Sequence, residues 1–224
     1  MYRFIESIRM IDGEAAALPY HQKRVDRTLQ SLGHGTARLP LAEIVGTMSG
    51  TYFGKSLCGQ ACKERKIYKE GKVLKTEKIH KARIVYNIKG EILEAAIMPY
   101  TMRKINSIRL VKCDNIDYSL KYADRSGLDA LSELADGADE IIIVRHGMLT
   151  DTSYSNIALL NGDKWVTPRT PLLKGTMRQQ LLDKNLLIEA DITPEALKDY
   201  QQICLINAMM PLGSCCIDTT KVFY

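Results

Sequence analysis

Short strand-like runs alternate with helix-like segments along this chain of 224 residues, and turn residues separate them. Residues 2–10 alternate apolar and polar side chains, the period of two that indicates a half-buried strand. Asp12 and Gly13 follow, and both tolerate the positive φ angles of a tight hairpin turn. Residues 19–32 predict a helix, since Pro19 favours its first turn and Gly33 follows its end. The start of the chain therefore predicts mixed α and β structure.

The same criteria predict further elements to the end of the chain. Helices are expected over residues 41–66, with interruptions at Gly46, Gly50 and Gly54, and over residues 123–135, 175–187 and 194–200. Strands are expected over residues 81–85, 91–98, 107–113, 141–144, 165–167 and 203–206. A turn is expected at residues 87–90, and residues 148–160 predict one hairpin arm that turns at Asn161 and Gly162. The predicted fold class is α+β.

The length of the chain allows one large domain or two small ones, at roughly 150 residues per domain. No internal repeat or low-complexity tract divides the sequence. A boundary near residues 100–115 is the economical interpretation. It predicts a small N-terminal α+β domain at residues 1–105 and a larger domain at residues 106–224.

Composition places the chain among ordinary soluble globular proteins, with 46% hydrophobic and 25% charged residues. These values exclude disordered, collagen-like and fibrous classes. No stretch approaches 18 consecutive apolar residues, and the first residues lack the apolar run of a signal peptide. A cytoplasmic protein without a membrane partner is therefore expected.

Net charge is mildly positive, since 31 basic and 26 acidic residues leave +5. Such an excess suits an anionic small molecule as readily as a nucleic acid. Much of it lies at residues 63–72, where interleaved glutamates dilute the positive field. A solvated surface is the favoured interpretation there, and no nucleic-acid partner is expected. The alternative is a basic nucleic-acid-binding module, which predicts steeply salt-dependent binding.

The six cysteines lack the paired Cys-x-x-Cys spacing of common zinc and redox sites. Reduced thiols are therefore expected for a cytosolic chain. Cys58 and Cys62 would share one face of a helix, but no further Cys or His pair lies nearby in sequence. No metal site is predicted.

Four separate segments carry the residue types of a catalytic or binding site. Lys121 lies between a predicted strand and a predicted helix, where partial burial would lower the pKa of its amine and expose a nucleophile. Taken alone, such a lysine is more often a solvated surface cation. Residues 150–156 place Asp151 and several hydroxyls on a half-buried strand, and residues 172–178 place glycine and threonine at a phosphate-attracting helix N-terminus. Residues 206–211 end a strand with small and polar residues before a proline.

Taken together and in this order, these segments resemble the class IV pyridoxal-phosphate aminotransferase family. Residues 5–9 are similar to the family's Glu-Thr-x-Arg strand, and residues 21–24 to its His-x-x-Arg motif. Lys121 with Arg125, residues 150–156 and residues 175–178 are similar to the motifs that follow. The family includes branched-chain and D-amino-acid transaminases and 4-amino-4-deoxychorismate lyase.

The resemblance implies pyridoxal 5'-phosphate as the cofactor and a role for each matched residue. Lys121 would be the catalytic residue, forming the Schiff base with the cofactor and later taking a proton from the substrate. Arg24 would bind the phosphate, and Asp151 would contact the pyridine nitrogen. The other cofactor-binding positions implied are Asn156, Gly175, Thr176, Met177, Asn207 and Ala208. Arg83 is a candidate for binding a substrate carboxylate, with an exposed strand cation as the alternative.

The resemblance also implies the two-domain fold of D-amino-acid aminotransferase, with the cofactor between the domains, and a homodimer that acts on a small amino substrate. Residues 175–178 and 207–211 resemble the lyase version of their motifs more than the transaminase version. A 4-amino-4-deoxychorismate lyase-like enzyme, giving 4-aminobenzoate and pyruvate, is therefore expected. The alternatives are a branched-chain or D-amino-acid transaminase and a catalytically silent pyridoxal-phosphate-binding protein. The first domain is expected to be truncated relative to the family.

Overall fold

The computed structural model describes residues 2–34, 38–56, 67–69, 72–74 and 78–224. The chain forms two compact units. The N-terminal unit comprises Glu6–Thr101, and the C-terminal unit comprises Met1–Ile5 together with Met102–Tyr224. The break lies close to the predicted boundary at residue 105, and the first five residues group with the C-terminal unit.

The N-terminal unit contains a four-stranded sheet in the order β2-β1-β5-β6. Strands β1 (Arg3–Ile11) and β2 (Glu14–Ala15) form a hairpin, and its turn residues Asp12 and Gly13 have φ angles of 49° and 91°. Strands β5 (Ile79–Asn87) and β6 (Ile92–Pro99) pair antiparallel around a second turn. Both turns lie where the glycine-containing sequences predict them.

Two helices complete the described part of this unit. Helix α1 (Leu18–Ser31) has proline in its first turn and ends before Gly33, whose φ angle is 77°. Helix α2 (Leu41–Ser56) covers the first part of the helix predicted over residues 41–66. Residues 57–66, including Cys58 and Cys62, lie outside the described residues. Strands β3 (Ile67–Lys69) and β4 (Lys72–Leu74) pair antiparallel where the sequence predicts no strand.

A nine-stranded sheet organises the C-terminal unit. Its main path runs β12-β11-β10-β9-β8-β7-β15, and β13 and β14 branch from β10. The strands are β7 (Ile108–Lys112), β8 (Glu140–Arg145), β9 (Met148–Thr152), β10 (Asn156–Asn161), β11 (Lys164–Pro168), β12 (Ile188–Ala190), β13 (Gln202–Ile206), β14 (Cys216–Asp218) and β15 (Val222–Phe223). Because β10 pairs with β9, β11 and β13, the residues at its start lie at the centre of the sheet.

The helices of the C-terminal unit are shorter than the sequence predicts. Helix α3 (Ser126–Ser132) continues as a 3-10 turn over Glu133–Ala135. Helix α4 (Thr176–Asp183) ends before the predicted residue 187, because Asn185 adopts a φ angle of 55° that stops the helix. Pro194–Asp199 is a 3-10 helix, and a further 3-10 turn covers Thr219–Lys221.

Two expectations are wrong in the C-terminal unit. Residues 148–160 are two antiparallel strands, β9 and β10, and not one hairpin arm. The second concerns the thiols, since Cys204 and Cys216 form a disulfide. These two residues lie directly opposite each other on β13 and β14. Because they are 12 residues apart in sequence, Cys-x-x-Cys spacing did not predict the pair.

Strand β8 shows how the sheet is covered on both faces. Ile142 packs with Ile157 and Leu205 in one apolar cluster, whereas Ile141 and Ile143 pack with Leu128 of α3 in another. All three isoleucines are completely buried. The sequence pattern Ile-Ile-Ile is the continuous apolar run of a strand buried on both sides, and the α+β prediction is confirmed. Within the described residues no helix is long and apolar enough to cross a membrane.

Candidate active site

The turn that joins β9 to β10 carries the polar motif at residues 150–156. Thr152 N donates to Ser155 O at 2.8 Å, and Ser155 N donates to Thr152 Oγ1 at 3.0 Å. The two hydroxyl oxygens also lie 2.8 Å apart. Side-chain hydroxyls therefore close a turn that contains neither glycine nor proline. As a result Asp151 and Asn156 lie opposite each other on the paired strands.

The side chains of Glu140 and Arg125 form hydrogen bonds with the backbone of the same turn. Ser153 N donates to the buried Glu140 at Oε1 over 3.2 Å, and Arg125 Nη2 donates to Ser153 O over 3.0 Å. Arg103 Nη1 lies 3.9 Å from the other oxygen of Glu140. Arg125 belongs to the same predicted motif as Lys121, so this contact ties the lysine segment to the motif that contains Asp151.

Asp151 takes part in a closed ring of hydrogen bonds. Asn156 Nδ2 donates to Asp151 Oδ1 at 2.8 Å and to the Leu173 carbonyl oxygen at 2.8 Å. Leu173 N donates to Asp151 Oδ2 at 2.8 Å. Each carboxylate oxygen thus has a donor, and each can accept another because it carries two lone-pair sites. The side chain of Asp151 has one fixed orientation within the C-terminal unit.

Opposing effects set the pKa of Asp151. Burial raises it, since only 5% of the residue is exposed, whereas the hydrogen bonds from Leu173 and Asn156 and the charge of Arg178 lower it. The result is a pKa of about 6. The carboxyl is therefore mostly ionised at neutral pH, although burial disfavours its charge.

Helix α4 begins beside this ring. Its N-cap is Gly175, which supplies no side-chain cap, and Thr176 at its first position is 4% exposed. The first amide groups of a helix have no acceptor within the helix, and together with the helix dipole they attract anions. A Cβ atom added to Gly175 would lie 2.0 Å from Asn156 Oδ1, so the glycine makes room for the asparagine.

Arg178 is a buried cation on α4, at the end of the motif formed by residues 175–178. It is 2% exposed, and its Nη2 donates to Pro168 O at 2.9 Å and to Glu189 Oε1 at 2.6 Å. Glu140, Leu173 and Arg178 all support Asp151 or its turn, and no role was predicted for any of them. Their contacts span long sequence separations, and a leucine that acts through its backbone leaves no signal in the sequence.

The lysine segment is fixed by the first residues of β1. Ile5 N donates to the carbonyl of Lys121 at 2.9 Å, and Ala123 N donates to the carbonyl of Arg3 at 2.7 Å. Tyr118 adds a hydroxyl that donates to the carbonyl of Tyr122 at 2.9 Å. Lys121 is half-buried. The backbone around the predicted catalytic lysine is therefore held on both sides.

Asn207 closes the turn that follows β13. Its Oδ1 accepts from Met209 N at 2.8 Å and from Met210 N at 3.1 Å, and its Nδ2 donates to Tyr154 O at 3.4 Å. Ala208 lies within this turn. The side chain of Asn207 thus links the end of β13 to the β9–β10 turn, and the cofactor contacts of Asn207 and Ala208 stay predictions.

Arg24 and Glu6 form a buried ion pair in the N-terminal unit. Arg24 Nε donates to Glu6 Oε1 at 2.8 Å, its Nη2 contacts Oε2, and His21 Nδ1 lies 2.6 Å from Oε2. Burial raises the pKa of the Glu6 carboxyl, but the charge of Arg24 and the hydrogen bonds from His21 and Arg24 outweigh it and lower that pKa to about 2. The role of Arg24 in phosphate binding stays a prediction.

Arg83 lies on β5 and pairs across the sheet with a residue of β6. Its Nη1 donates to Glu94 Oε2 at 2.6 Å, and the two side chains are 33% and 56% exposed. This is the contact expected of an exposed strand cation. A substrate carboxylate would have to replace Glu94, and the binding role of Arg83 stays a prediction.

The C-terminal unit contains most of the predicted site residues: Lys121, Asp151, Asn156, Gly175, Thr176, Met177, Asn207 and Ala208. Among these, Asp151, Asn156 and Gly175 make one cluster of direct contacts. Arg24 and Arg83 belong to the N-terminal unit. The described residues contain no group of three or more His, Cys, Asp or Glu side chains placed to bind a metal ion.

Comparisons with known proteins place the chain in a family. A family model described as amino-transferase class IV matches residues 124–216. A Haemophilus influenzae protein, named only "Uncharacterized protein", is 30% identical over 214 residues, which are 93% of this chain and 98% of that protein. A solved Haemophilus somnus structure, named "putative 4-amino-4-deoxychorismate lyase", is 31% identical with a TM-score of 0.77, covering 95% of this chain and 98% of that one.

A third similarity is to a hypothetical aminotransferase from Mycobacterium tuberculosis in its pyridoxal-phosphate-bound form. It has a TM-score of 0.73 and 16% identity, over 98% of this chain and 81% of that one, and shares the fold. The fold is that of class IV aminotransferases, which are pyridoxal-phosphate enzymes. The chain belongs to the class IV aminotransferase family. The predictions of this family, of an enzyme and of pyridoxal phosphate as the family's cofactor are confirmed.

Proposed function

We propose that this enzyme is a 4-amino-4-deoxychorismate lyase-like member of its family, which converts aminodeoxychorismate to 4-aminobenzoate and pyruvate. The observation that carries the proposal is the similarity to the Haemophilus somnus protein, which extends over 98% of that chain at 31% identity. The motifs at residues 175–178 and 207–211, which resemble the lyase version, add support. A transaminase of the same family would instead transfer an amino group between amino and keto acids.

The residues present fit pyridoxal phosphate. Asp151 is a buried carboxylate whose two oxygens both accept hydrogen bonds, and its negative charge suits a protonated ring nitrogen. Helix α4 begins at Thr176 without a side-chain cap, which suits a phosphate group. Pyridoxal phosphate needs a carboxylate for its ring nitrogen and an anion site for its phosphate, and these two groups supply both. When bound, pyridoxal phosphate supplies the electron sink for breaking bonds at the substrate.

Lys121 and Asp151 would carry the proton chemistry. The amine of Lys121 would hold the cofactor covalently, and after its release would act as the base that takes a proton from the substrate. The Asp151 carboxylate would hold a proton on the ring nitrogen, since a nearby anion favours the charged ring. The ring of hydrogen bonds through Asn156 and Leu173 would keep that carboxylate in place while the proton on Lys121 moves.

Arg24, Thr176 and Met177 would bind the cofactor phosphate. The guanidinium of Arg24 supplies a permanent charge in a fixed fork, the geometry that suits phosphate oxygens. The hydroxyl of Thr176 and the backbone N–H of Met177 would add neutral donors at the start of α4. Gly175, Asn207 and Ala208 would complete the cofactor-binding residues, and Arg83 the binding of a substrate carboxylate. The family resemblance leads us to propose a homodimer as well, which analytical ultracentrifugation would test.

A product assay tests the proposed reaction. The purified enzyme, loaded with pyridoxal phosphate, is incubated with aminodeoxychorismate, and 4-aminobenzoate and pyruvate are measured. Parallel samples receive a panel of L- and D-amino acids with 2-oxoglutarate, and glutamate formation is measured. The proposal predicts 4-aminobenzoate and pyruvate in equal amounts and their loss in Lys121→Ala. Glutamate formation without 4-aminobenzoate would instead establish a transaminase, and no turnover with bound cofactor would favour the silent binding protein.

A further inference from the structure

We propose that Asn156 acts on the reaction only through Asp151, as a positioning residue that fixes the orientation and charge of the acid, and that Gly175 is glycine to make room for it. This inference rests on the proposed role of Asp151 at the ring nitrogen. It replaces a direct cofactor contact, the role that the sequence predicts for Asn156, with an indirect one.

The orientation of the Asn156 carboxamide follows from its partners. Nδ2 lies 2.8 Å from Asp151 Oδ1 and 2.8 Å from the Leu173 carbonyl oxygen. The carbonyl of Leu173 can only accept, so the group that faces it must be the NH2 and not the carbonyl oxygen. The same NH2 therefore donates to Asp151. Both of its hydrogens are used within the ring, which leaves no N–H of this side chain for a cofactor atom.

The ring is closed by Leu173, which acts at both ends. Its N–H donates to Asp151 Oδ2 while its carbonyl accepts from Asn156. Asp151 and Asn156 are also fixed by their backbones, since they face each other across β9 and β10. Asp151 and Asn156 are each 5% exposed, so water competes little for these hydrogen bonds. The Leu173 peptide group and the Asn156 carboxamide thus fix the orientation of the acid, and the backbone of Leu172 adds a further hydrogen bond.

Gly175 shows that the sequence reserves space for this carboxamide. The φ and ψ angles of Gly175 are −68° and 150°, a conformation that any residue can adopt. Backbone geometry therefore does not require glycine here. A Cβ atom would lie 2.0 Å from Asn156 Oδ1 and 3.2 Å from Asn156 Cγ, and the third nearest atom is Asn156 Nδ2 at 3.8 Å. The three nearest obstacles to a larger residue all belong to Asn156.

The hydrogen bond from Asn156 also affects the protonation of Asp151. Burial disfavours the carboxylate, and the donors from Leu173 and Asn156 with the charge of Arg178 favour it. Without the Asn156 donor, burial is opposed only by the backbone hydrogen bonds from Leu173 and Leu172 and by the charge of Arg178. The acid would then be protonated at higher pH, and a neutral carboxyl cannot hold the proton on a pyridine nitrogen as well as a charged one.

The first experiment measures the titration of Asp151 in the full-length, ligand-free protein. Protein labelled with 13C at aspartate carboxyls is titrated by NMR, and the Asp151→Asn variant assigns the signal. Asn156→Ala is expected to raise the midpoint of Asp151 by about one to two pH units, the effect of losing a hydrogen bond to a charged group. Asn161→Ala, an exposed asparagine on the same strand, is the matched control and should not move it. An unchanged midpoint in Asn156→Ala would overturn the inference.

The second experiment separates an indirect role from direct contact with the cofactor. Pyridoxal-phosphate affinity and the pH dependence of its bound visible spectrum are compared for wild type, Asn156→Ala, Asp151→Ala and the double variant. If Asn156 acts only through Asp151, its replacement shifts the pH dependence of the spectrum in wild type, and it changes neither the affinity by as much as twofold nor the spectrum in Asp151→Ala. The same loss in both backgrounds would mean that Asn156 touches the cofactor itself, contrary to the proposal.

The third experiment tests the reserved space. Gly175→Ala should lower the melting temperature by several degrees, or prevent folding, because Asn156 blocks the new Cβ. Asn156→Ala/Gly175→Ala should fold and melt within a degree or two of Asn156→Ala alone. Additive losses would refute the steric part of the inference. None of the three experiments uses a substrate, so a protein inactive on aminodeoxychorismate would refute the proposed reaction without touching this result.

Discussion

Arg24 rests on Glu6, with Nε donating to Oε1 at 2.8 Å, and both side chains are almost fully removed from water. The arginine comes from helix α1 and the glutamate from strand β1, so the pair joins helix to sheet within the N-terminal unit. A buried guanidinium needs a counter-charge because water no longer solvates it. Glu6 supplies that charge and at the same time fixes the direction of the arginine that we propose as a phosphate ligand.

Removing this counter-charge should destabilise the ligand-free protein. Glu6→Gln leaves the buried Arg24 without a compensating anion, and breaking a buried pair in this way costs about 3–5 kcal/mol. Glu94→Gln is the matched control, since it breaks the pair of Arg83 with a glutamate that is 56% exposed. The control should cost about 1 kcal/mol or less. Urea unfolding monitored by circular dichroism measures both, and equal small losses would show that the Arg24 pair is worth no more than a surface contact.

The pH dependence of stability should carry opposite signs for the two buried acids. The pKa of Glu6 is lowered from 4.5 to about 2, so its stabilisation is complete above pH 4.5 and is lost as pH falls towards 2. The pKa of Asp151 is raised from 3.8 to about 6, so the native state binds its proton first and stability falls as pH rises between these values. The second effect amounts to roughly 3 kcal/mol, at 1.36 kcal/mol per pKa unit.

Unfolding of the ligand-free protein between pH 5 and pH 7.5 isolates Asp151, because Glu6 stays ionised over that range. Asp151→Asn carries no titrating group, so its unfolding free energy relative to wild type should rise with pH. The difference should level off above the native midpoint of Asp151. A constant difference across the range would mean that Asp151 titrates as an exposed acid does.

Local signals predicted the first hairpin and helix well. Asp12 and Gly13 suit the two positive φ angles of the turn, and Pro19 and Gly33 mark the ends of α1, so each boundary is determined by residues next to it. The β9–β10 turn was missed for the opposite reason. Hydrogen bonds between Thr152 and Ser155 close this turn, and it contains no glycine or proline.

In the candidate site, too, the residues of a local motif could be predicted and their partners from distant parts of the sequence could not. Asp151 and Asn156 were predicted as site residues because they belong to one short motif that resembles the family's, and their roles at the cofactor stay predictions. The partners that orient them come from distant positions: Leu173 through its peptide group and Glu140 through a contact with the turn. Similarly, β12, β14 and β15 are two or three residues long and exist through their pairing with distant strands. Sequence patterns do not record such pairings when a strand is this short.

Lys121→Ala should abolish the visible absorbance of bound pyridoxal phosphate. The amine of Lys121 is the proposed covalent link, so without it the cofactor would be held only by its phosphate and ring contacts. Lys112→Ala, on the exposed part of β7, is the control and should keep the absorbance. The spectra of the purified, cofactor-loaded proteins decide the matter. Unchanged absorbance in Lys121→Ala would assign the link to another lysine.

Asp151→Ala should reduce turnover far more than it reduces cofactor retention. The covalent link at Lys121 and the phosphate contacts do not involve this acid, so the loaded fraction after dialysis should stay high. Loss of a fixed charge that acts in the transition state costs roughly 10²–10³ in rate, and the measured kcat with the active amino substrate should fall by that amount. Asp163→Ala, an exposed acid between β10 and β11, controls for general effects of losing a carboxylate. Parallel losses of cofactor and of turnover would contradict the proposed role, because the acid would then be needed to hold the ring and not to control its charge.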